Sequence, residues 1–264
     1  MVAPAAPAAT GSAAHDPLDT LHPALWRAHQ LGVSRGDTVA SGFAALDAAL
    51  PGGGWPLRTL TELLLPHAGL GELRLLAPAL VAVQAGQRSV LLFDPPARPF
   101  ASAWSALGLD VQQLYVVQGR AAARGRSAGP LPAADVLWAL EQALKSGQVG
   151  AVLAWLPARL AADALRRLQL AAQAHDGPVF LLRDDAARHK PSPAPLRLQL
   201  RAAEPDALRV QLLKRRGPPL AQALTLALPP VLSAPAAARA QRLLAAAVPV
   251  AGAGVGAVAS RLPS

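Results

Sequence analysis

Near-continuous apolar runs, each too short for a helix, alternate along this chain with stretches of helical period, and no other feature limits the possible folds as much. Thr59–Leu65, Ser89–Asp94, Leu114–Gln118, Val149–Leu156 and Pro178–Arg183 read as strands. Leu73–Ala85, Phe100–Leu107, Asp135–Ser146 and Ala161–Ala174 read as the helices between them. A strand apolar on both faces has to be covered on both faces. The pattern therefore predicts an α/β fold, with a mostly parallel twisted sheet between helical layers. After Asp184 the pattern changes. Leu196–Arg201 and Leu208–Leu212 alternate strictly between apolar and polar, and Ala223–Leu228 is a third short run. Alternation implies one face in water, so antiparallel strands are expected at the C-terminal edge of the sheet.

On either side of this core, expected over residues 37–230, the composition shifts. Residues 1–36 combine an Ala/Pro-rich stretch with a short helix over Pro23–Leu31, and 231–264 form an Ala/Pro/Gly-rich tail with one further helix over Ala236–Ala247. Hydrophobic residues make up 52% of the chain and charged residues 16%, enough to bury a sizeable core. Aromatics are only 4%, so Leu, Val and Ala must build it. Cysteine is absent, which excludes disulfides, thiolate-bound metals and a thiol nucleophile, and fits a reducing compartment. No uncharged apolar run reaches the roughly 20 residues of a membrane span, and the N-terminus lacks the basic and apolar regions of a signal peptide. A cytoplasmic protein is expected. The histidines form no pair at i,i+4 and no His-x-Glu, so no metal site is expected. Trp104, Trp138 and Trp155 lie on element faces and are expected in the core.

The charge balance is +9, and its excess is uneven. From Leu196 onward, Arg197, Arg201, Arg209, Lys214, Arg215, Arg216, Arg239, Arg242 and Arg261 face only Glu204 and Asp206. A basic quarter of this kind suggests nucleic acid or an acidic partner surface, although an Arg-favouring genome produces the same bias. No aromatic residues interleave the basic ones as stacking platforms for single strands would.

In an α/β domain the first strand–loop–helix is the usual phosphate site. Here it reads Glu62-Leu63-Leu64-Leu65-Pro66-His67-Ala68-Gly69-Leu70-Gly71-Glu72-Leu73. A phosphate-cradling loop requires G-x-x-x-x-G-K-[ST], with Lys for the terminal phosphates and a hydroxyl for Mg²⁺. Gly71 serves as the second glycine, but Glu72 and Leu73 follow it, and a carboxylate there repels a triphosphate. The strand Val149–Leu156 ends without an acidic residue, and Ser89–Asp94 is followed by Pro95-Pro96 rather than a catalytic Glu. Gly69, Gly71 and Glu72 thus mark a degenerate loop, with no bound cofactor and no catalysis expected, and Asp94 reads as a strand-end cap.

Ser41-Gly42, Leu46-Asp47, Leu50, Gly53-Gly54 and Pro56, followed by Gly108-Leu109-Asp110 and Leu208–Gln222, resemble the RecA recombinase core. More specifically, His22–Arg27, Gly69–Leu73, Asp94-Pro95-Pro96, Gly147–Trp155 and Lys214–Pro218 are similar to the ImuA family, RecA-like proteins of bacterial translesion synthesis. The resemblance covers roughly residues 20–230. It implies a RecA-like core and a non-catalytic accessory role in SOS-induced error-prone synthesis. The implied partners are an inactive Y-family polymerase homologue (ImuB), an error-prone C-family polymerase, RecA, and DNA through the basic quarter, with nucleoid association during damage. Lys214-Arg215-Arg216, a strand end before Gly217-Pro218-Pro219, and Trp26-Arg27 are the implied contact residues. Two readings compete: a SulA-like inhibitor of the tubulin-like division protein, and a divergent RecA-like ATPase.

Overall fold

The computed structural model describes residues 37–118, 132–157, 159–204, 206–220 and 222–231, together with 235, 236, 238, 239 and 242. The helix expected over Pro23–Leu31, with Trp26 and Arg27, lies outside the described residues, as does most of the helix expected over Ala236–Ala247.

Three short elements precede the main sheet. Strands β1 (Thr38–Val39) and β2 (Trp55–Pro56) pair antiparallel and enclose helix α1 (Ala44–Ala49). Trp55 is fully buried and meets Phe180 edge-on at 5.3 Å between ring centroids, which fastens this hairpin to one sheet face. The chain then runs through β3 (Leu60–Leu65), α2 (Glu72–Ala85), β4 (Ser89–Phe93), α3 (Ala101–Ala106), β5 (Leu114–Val117), α4 (Ala133–Lys145), β6 (Val149–Leu156), α5 (Ala162–Gln173) and β7 (Val179–Asp184). Strands β8 (Leu196–Ala202), β9 (Ala207–Lys214) and β10 (Leu224–Ala227) follow. The eight-stranded sheet has the order β10-β9-β8-β3-β7-β6-β4-β5. It is parallel from β8 to β5 and antiparallel where β8, β9 and β10 meet.

Side-chain alternation sends β3, β4, β6 and β7 into two cores, one on each sheet face. Leu63, Leu92, Leu153 and Phe180 pack with Leu75, Leu76 and Leu80 of α2 and Trp104 of α3. Phe93, Val152, Ala154 and Leu181 pack with Val136, Leu140 and Leu144 of α4 and Leu165 and Leu168 of α5. The expected α/β fold with a mostly parallel sheet and an antiparallel C-terminal edge is what the chain adopts. Trp138 departs from expectation: it is 62% exposed. Val136, Leu140 and Leu144 define the inward stripe of α4, and a residue two positions after Val136 lies about 200° around the helix, on the opposite side.

Strand β8 departs further. Its alternation promised a face in water, yet Arg197 and Gln199 are buried together with Leu196, Leu198 and Leu200. Two features cover that polar face. Glu62 of β3, opposite Arg197 in register, offers one carboxylate oxygen to Arg197 Nε at 2.6 Å and the other to Arg183 Nη1 of β7 at 2.7 Å. A 3-10 turn over Asp185–His189 folds across the rest. There the Ala187 carbonyl accepts from Arg197 Nη2 at 2.9 Å, and Asp185 accepts from Gln199 Nε2 at 2.6 Å and also pairs with Arg201. Strands β9 and β10 keep the expected wet face.

At the opposite end of the strands, His175 is fully buried between α5 and β7, and neither ring nitrogen has a hydrogen-bond partner among the described residues. Burial, reinforced by the Arg88 cation, lowers its pKa to about 4.

Two outcomes follow from these buried charges. Replacing Glu62 by Gln leaves Arg183 and Arg197 without their countercharge and is expected to lower unfolding stability by about 3–5 kcal/mol, measured by urea denaturation. His175 takes up a proton near pH 6.5 when unfolded but only near pH 4 when folded. The unfolded chain therefore binds more protons between these values, so stability is full above pH 6.5 and falls as the pH drops. A loss of about 2 kcal/mol is expected between pH 7 and pH 5, and His175→Gln is expected to flatten that slope.

Candidate functional site

Strand β3 ends at Leu65, and the segment Pro66–Gly71 carries the chain into α2. Gly69 and Gly71 take φ of +87° and +113°, values open to glycine, and these turn both N–H groups toward the start of the helix. In a nucleotide-binding loop such donors receive a phosphate. In this chain they receive Glu72. Gly69 N–H donates to Glu72 Oε1 at 2.7 Å, and Gly71 N–H donates to Oε2 at 3.1 Å. The side chain is drawn inward until the residue is 2% exposed. A carboxylate in the first helical turn also meets the favourable end of the α2 dipole. The sequence puts Glu72 where a phosphate-cradling loop would carry Lys; the structure adds that its carboxylate takes both glycine N–H groups.

The far end of the sheet roofs the loop. Leu228, after β10, lies against Gly71, where an added Cβ would approach its Cδ1 to 2.5 Å. Arg74, in the first turn of α2, pairs with Asp206 and donates to the Pro229 carbonyl at 3.1 Å. Asp206 in turn accepts from Leu228 N–H at 2.7 Å through its backbone carbonyl. The helix start, the beginning of β9 and the end of β10 thus hold one another over the loop.

Beside the loop, a cavity of about 480 Å³ opens beyond the carboxyl ends of β3, β4, β6 and β7, where open α/β sheets bind their ligands. Its walls are mainly apolar, with Pro66, Leu156 and Leu182 among them. Asp94 stands at its edge, in the left-handed region at φ +48°, and partial burial raises its pKa. Its own N–H caps the neighbouring strand by donating to the Val117 carbonyl at 2.8 Å, while its carboxyl has no partner among the described residues. Arg183 reaches the cavity wall, with its guanidinium engaged by Glu62. The segment Pro66–Gly71 contains no Lys, Arg, Ser or Thr, and the Arg74 guanidinium that lies against Gly71 is paired with Asp206. Among the described residues no group of three or more His, Cys, Asp or Glu is placed to hold a metal ion. No described helix is long and apolar enough to cross a membrane.

The basic strand end lies away from this loop. Arg197 sits opposite both Glu62 on β3 and Lys214 on β9, so the chain beyond Lys214 heads toward the amino end of β3. Lys214 Nζ donates to the Ser192 carbonyl at 3.0 Å. Arg215 is half-buried, donating from Nε to the Pro218 carbonyl at 2.7 Å and from Nη1 to the Ala49 carbonyl at the end of α1. Arg216 is exposed and borders a second cavity. Arg215 therefore has a structural task that sequence reasoning missed, and the Glu62–Arg183–Arg197 cluster was missed as well. The signal for that cluster was a single Glu inside the apolar run of β3.

Glu72→Ala removes two charge-assisted hydrogen bonds and is expected to cost about 2–4 kcal/mol. It also frees the two glycine N–H groups, so inorganic phosphate is expected to raise the thermal midpoint of the variant more than that of the parent chain, as read by differential scanning fluorimetry. No protein-family model matches this chain and no curated protein matches it.

Proposed function

We propose that this chain is a non-catalytic accessory protein of error-prone translesion DNA synthesis, as its resemblance to the ImuA family implies. The observation that carries the reading is the Glu72 carboxylate, held by the N–H groups of Gly69 and Gly71 where a nucleotide phosphate would be held. A nucleotide would have to break those bonds and bring its own negative charge to a buried carboxylate, at a cost of several kcal/mol. A RecA-like core is supported by the phosphate-type loop between an interior parallel strand, β3, and α2, and by the antiparallel strands at one edge. In this reading the surfaces of such a core remain in use while its motor is lost. The working contacts are then with an inactive Y-family polymerase homologue and an error-prone C-family polymerase, in the cytoplasm and at the nucleoid.

The test has two arms. ATP at millimolar concentration is expected to give neither hydrolysis nor saturable binding by calorimetry; turnover abolished by a change at Gly71 would establish the ATPase reading instead. Immobilised chain is expected to capture the polymerase homologue and not the tubulin-like division protein, and the reverse result would favour a division inhibitor.

A further inference from the structure

Adjacent strands β4 and β6 send the chain to opposite faces of the sheet. Strand β4 leads into α3, on the face of α2, and β6 leads into α5, on the other. Where connections part in this way, the carboxyl ends of the strands leave a crevice, and open α/β sheets bind their ligands there. The cavity of about 480 Å³ lies at this point, with Asp94 just after β4 and Pro157 just after β6 on its lining. We propose that this cavity binds a compact organic cation, an ammonium group carried on an apolar body, with Asp94 as its counterion.

The titratable groups of the lining differ in what holds them. Arg183 is ion-paired with Glu62 at 2.7 Å. Asp184 accepts from Ala186 N–H at 2.8 Å, where it caps the 3-10 turn. His67 Nδ1 donates to the Ala68 carbonyl at 3.1 Å. Asp94 is the fourth, and its carboxyl has no partner among the described residues. Burial raises its pKa, whereas a neighbouring cation or hydrogen-bond donor would pull it down. Its backbone is fixed as well: φ is +48°, a value that non-glycine residues seldom adopt, and the N–H bond to the Val117 carbonyl holds it there.

The walls set the rest of the ligand. Val136, Leu156 and Leu182 supply apolar surface from α4, β6 and β7. A purely apolar molecule would cover the Asp94 carboxylate and leave it with neither water nor partner. An anion would meet Asp94 and Asp184, and the glycine N–H groups beside them are already taken by Glu72. A hard divalent cation takes about six oxygen ligands, and Asp94 and Asp184 are the only carboxyls on this lining. An ammonium on an apolar body meets both demands, with a charge-assisted hydrogen bond to Asp94 and burial of its body against the leucines.

Asp94→Asn removes the charge and keeps a side chain that tolerates left-handed backbone, so it is expected to fold like the parent. Should its thermal midpoint fall, Asp94→Gly takes its place, since glycine adopts that backbone freely. Ala133→Phe, at an exposed position at the start of α4, fills the cavity without touching the charge. The probes are phenethylamine, 2-phenylethanol, 3-phenylpropionate and Mg²⁺. Each is titrated into the full chain by calorimetry at pH 8, where alkylammonium groups are charged and imidazoles are neutral. Saturable binding of phenethylamine is expected, with the alcohol and the acid bound at least about tenfold more weakly. Each variant is expected to weaken phenethylamine about tenfold at an unchanged thermal midpoint. No saturable phenethylamine binding, equal binding of the alcohol or the acid, or variants that bind like the parent would overturn the proposal. So would Mg²⁺ binding that is lost on changing Asp94, which would make the site one for a metal ion.

Discussion

Glu62 occupies the middle of the strand on which both halves of the sheet hang, and its two oxygens are committed in opposite directions, to Arg183 on β7 and to Arg197 on β8. All three side chains are buried, so each depends on the others for the solvation that water would otherwise supply. Such a cluster adds little net stability compared with a well-packed apolar one, because removing three charges from water is costly. What it does is exclude alternatives. A slip of β3 by one residue against either neighbour would turn Glu62 to the other face, among leucines, and leave two guanidiniums buried alone. The register of β7, β3 and β8 is set here, and with it the place where the parallel part of the sheet joins the antiparallel part.

From that fixed strand the rest follows outward. Its carboxyl end delivers Pro66–Gly71 to the start of α2, where Glu72 turns back on the loop, and β8 brings β9 and β10 into position for Leu228 and Arg74 to close over it. Its amino end, about 20 Å away by strand rise, meets the turn at Arg58 and the end of β9 at Arg216. The two ends differ in kind. At one, the glycine N–H groups are engaged from within by Glu72, and at the other Arg58 is ion-paired with Asp176 at the surface.

The secondary structure was legible because its signals are local: apolar runs, helical periods and the switch to alternation after Asp184 place every strand of the main sheet within a few residues. What failed was the step from pattern to environment. Leu-Arg-Leu-Gln-Leu-Arg reads as half wet because nothing near it in sequence announces a carboxylate 135 residues earlier or a 3-10 turn folding over the strand. Trp138 reads as core from its residue type, whereas its phase on α4 puts it outside. That Glu72, and no Lys, follows Gly71 was plain in the sequence. The new partner of the orphaned N–H groups was not, because it depends on the left-handed backbone at Gly69 and Gly71. Nor could the basic strand end be placed relative to the loop without the antiparallel pairing of β8 and β9.

A ligand tethered to its own site obeys different arithmetic from one in solution. Glu72 is one residue from Gly71 and three from Gly69, so its carboxylate competes at an effective concentration that dilution cannot lower. On the proposed reading, occupancy of the loop is thereby uncoupled from the nucleotide pool and from its ratio of triphosphate to diphosphate. A phosphate-loop machine with a free ligand has two states and a chemical step to drive it between them. A loop filled by its own helix has one state, fixed at folding, and no internal timer.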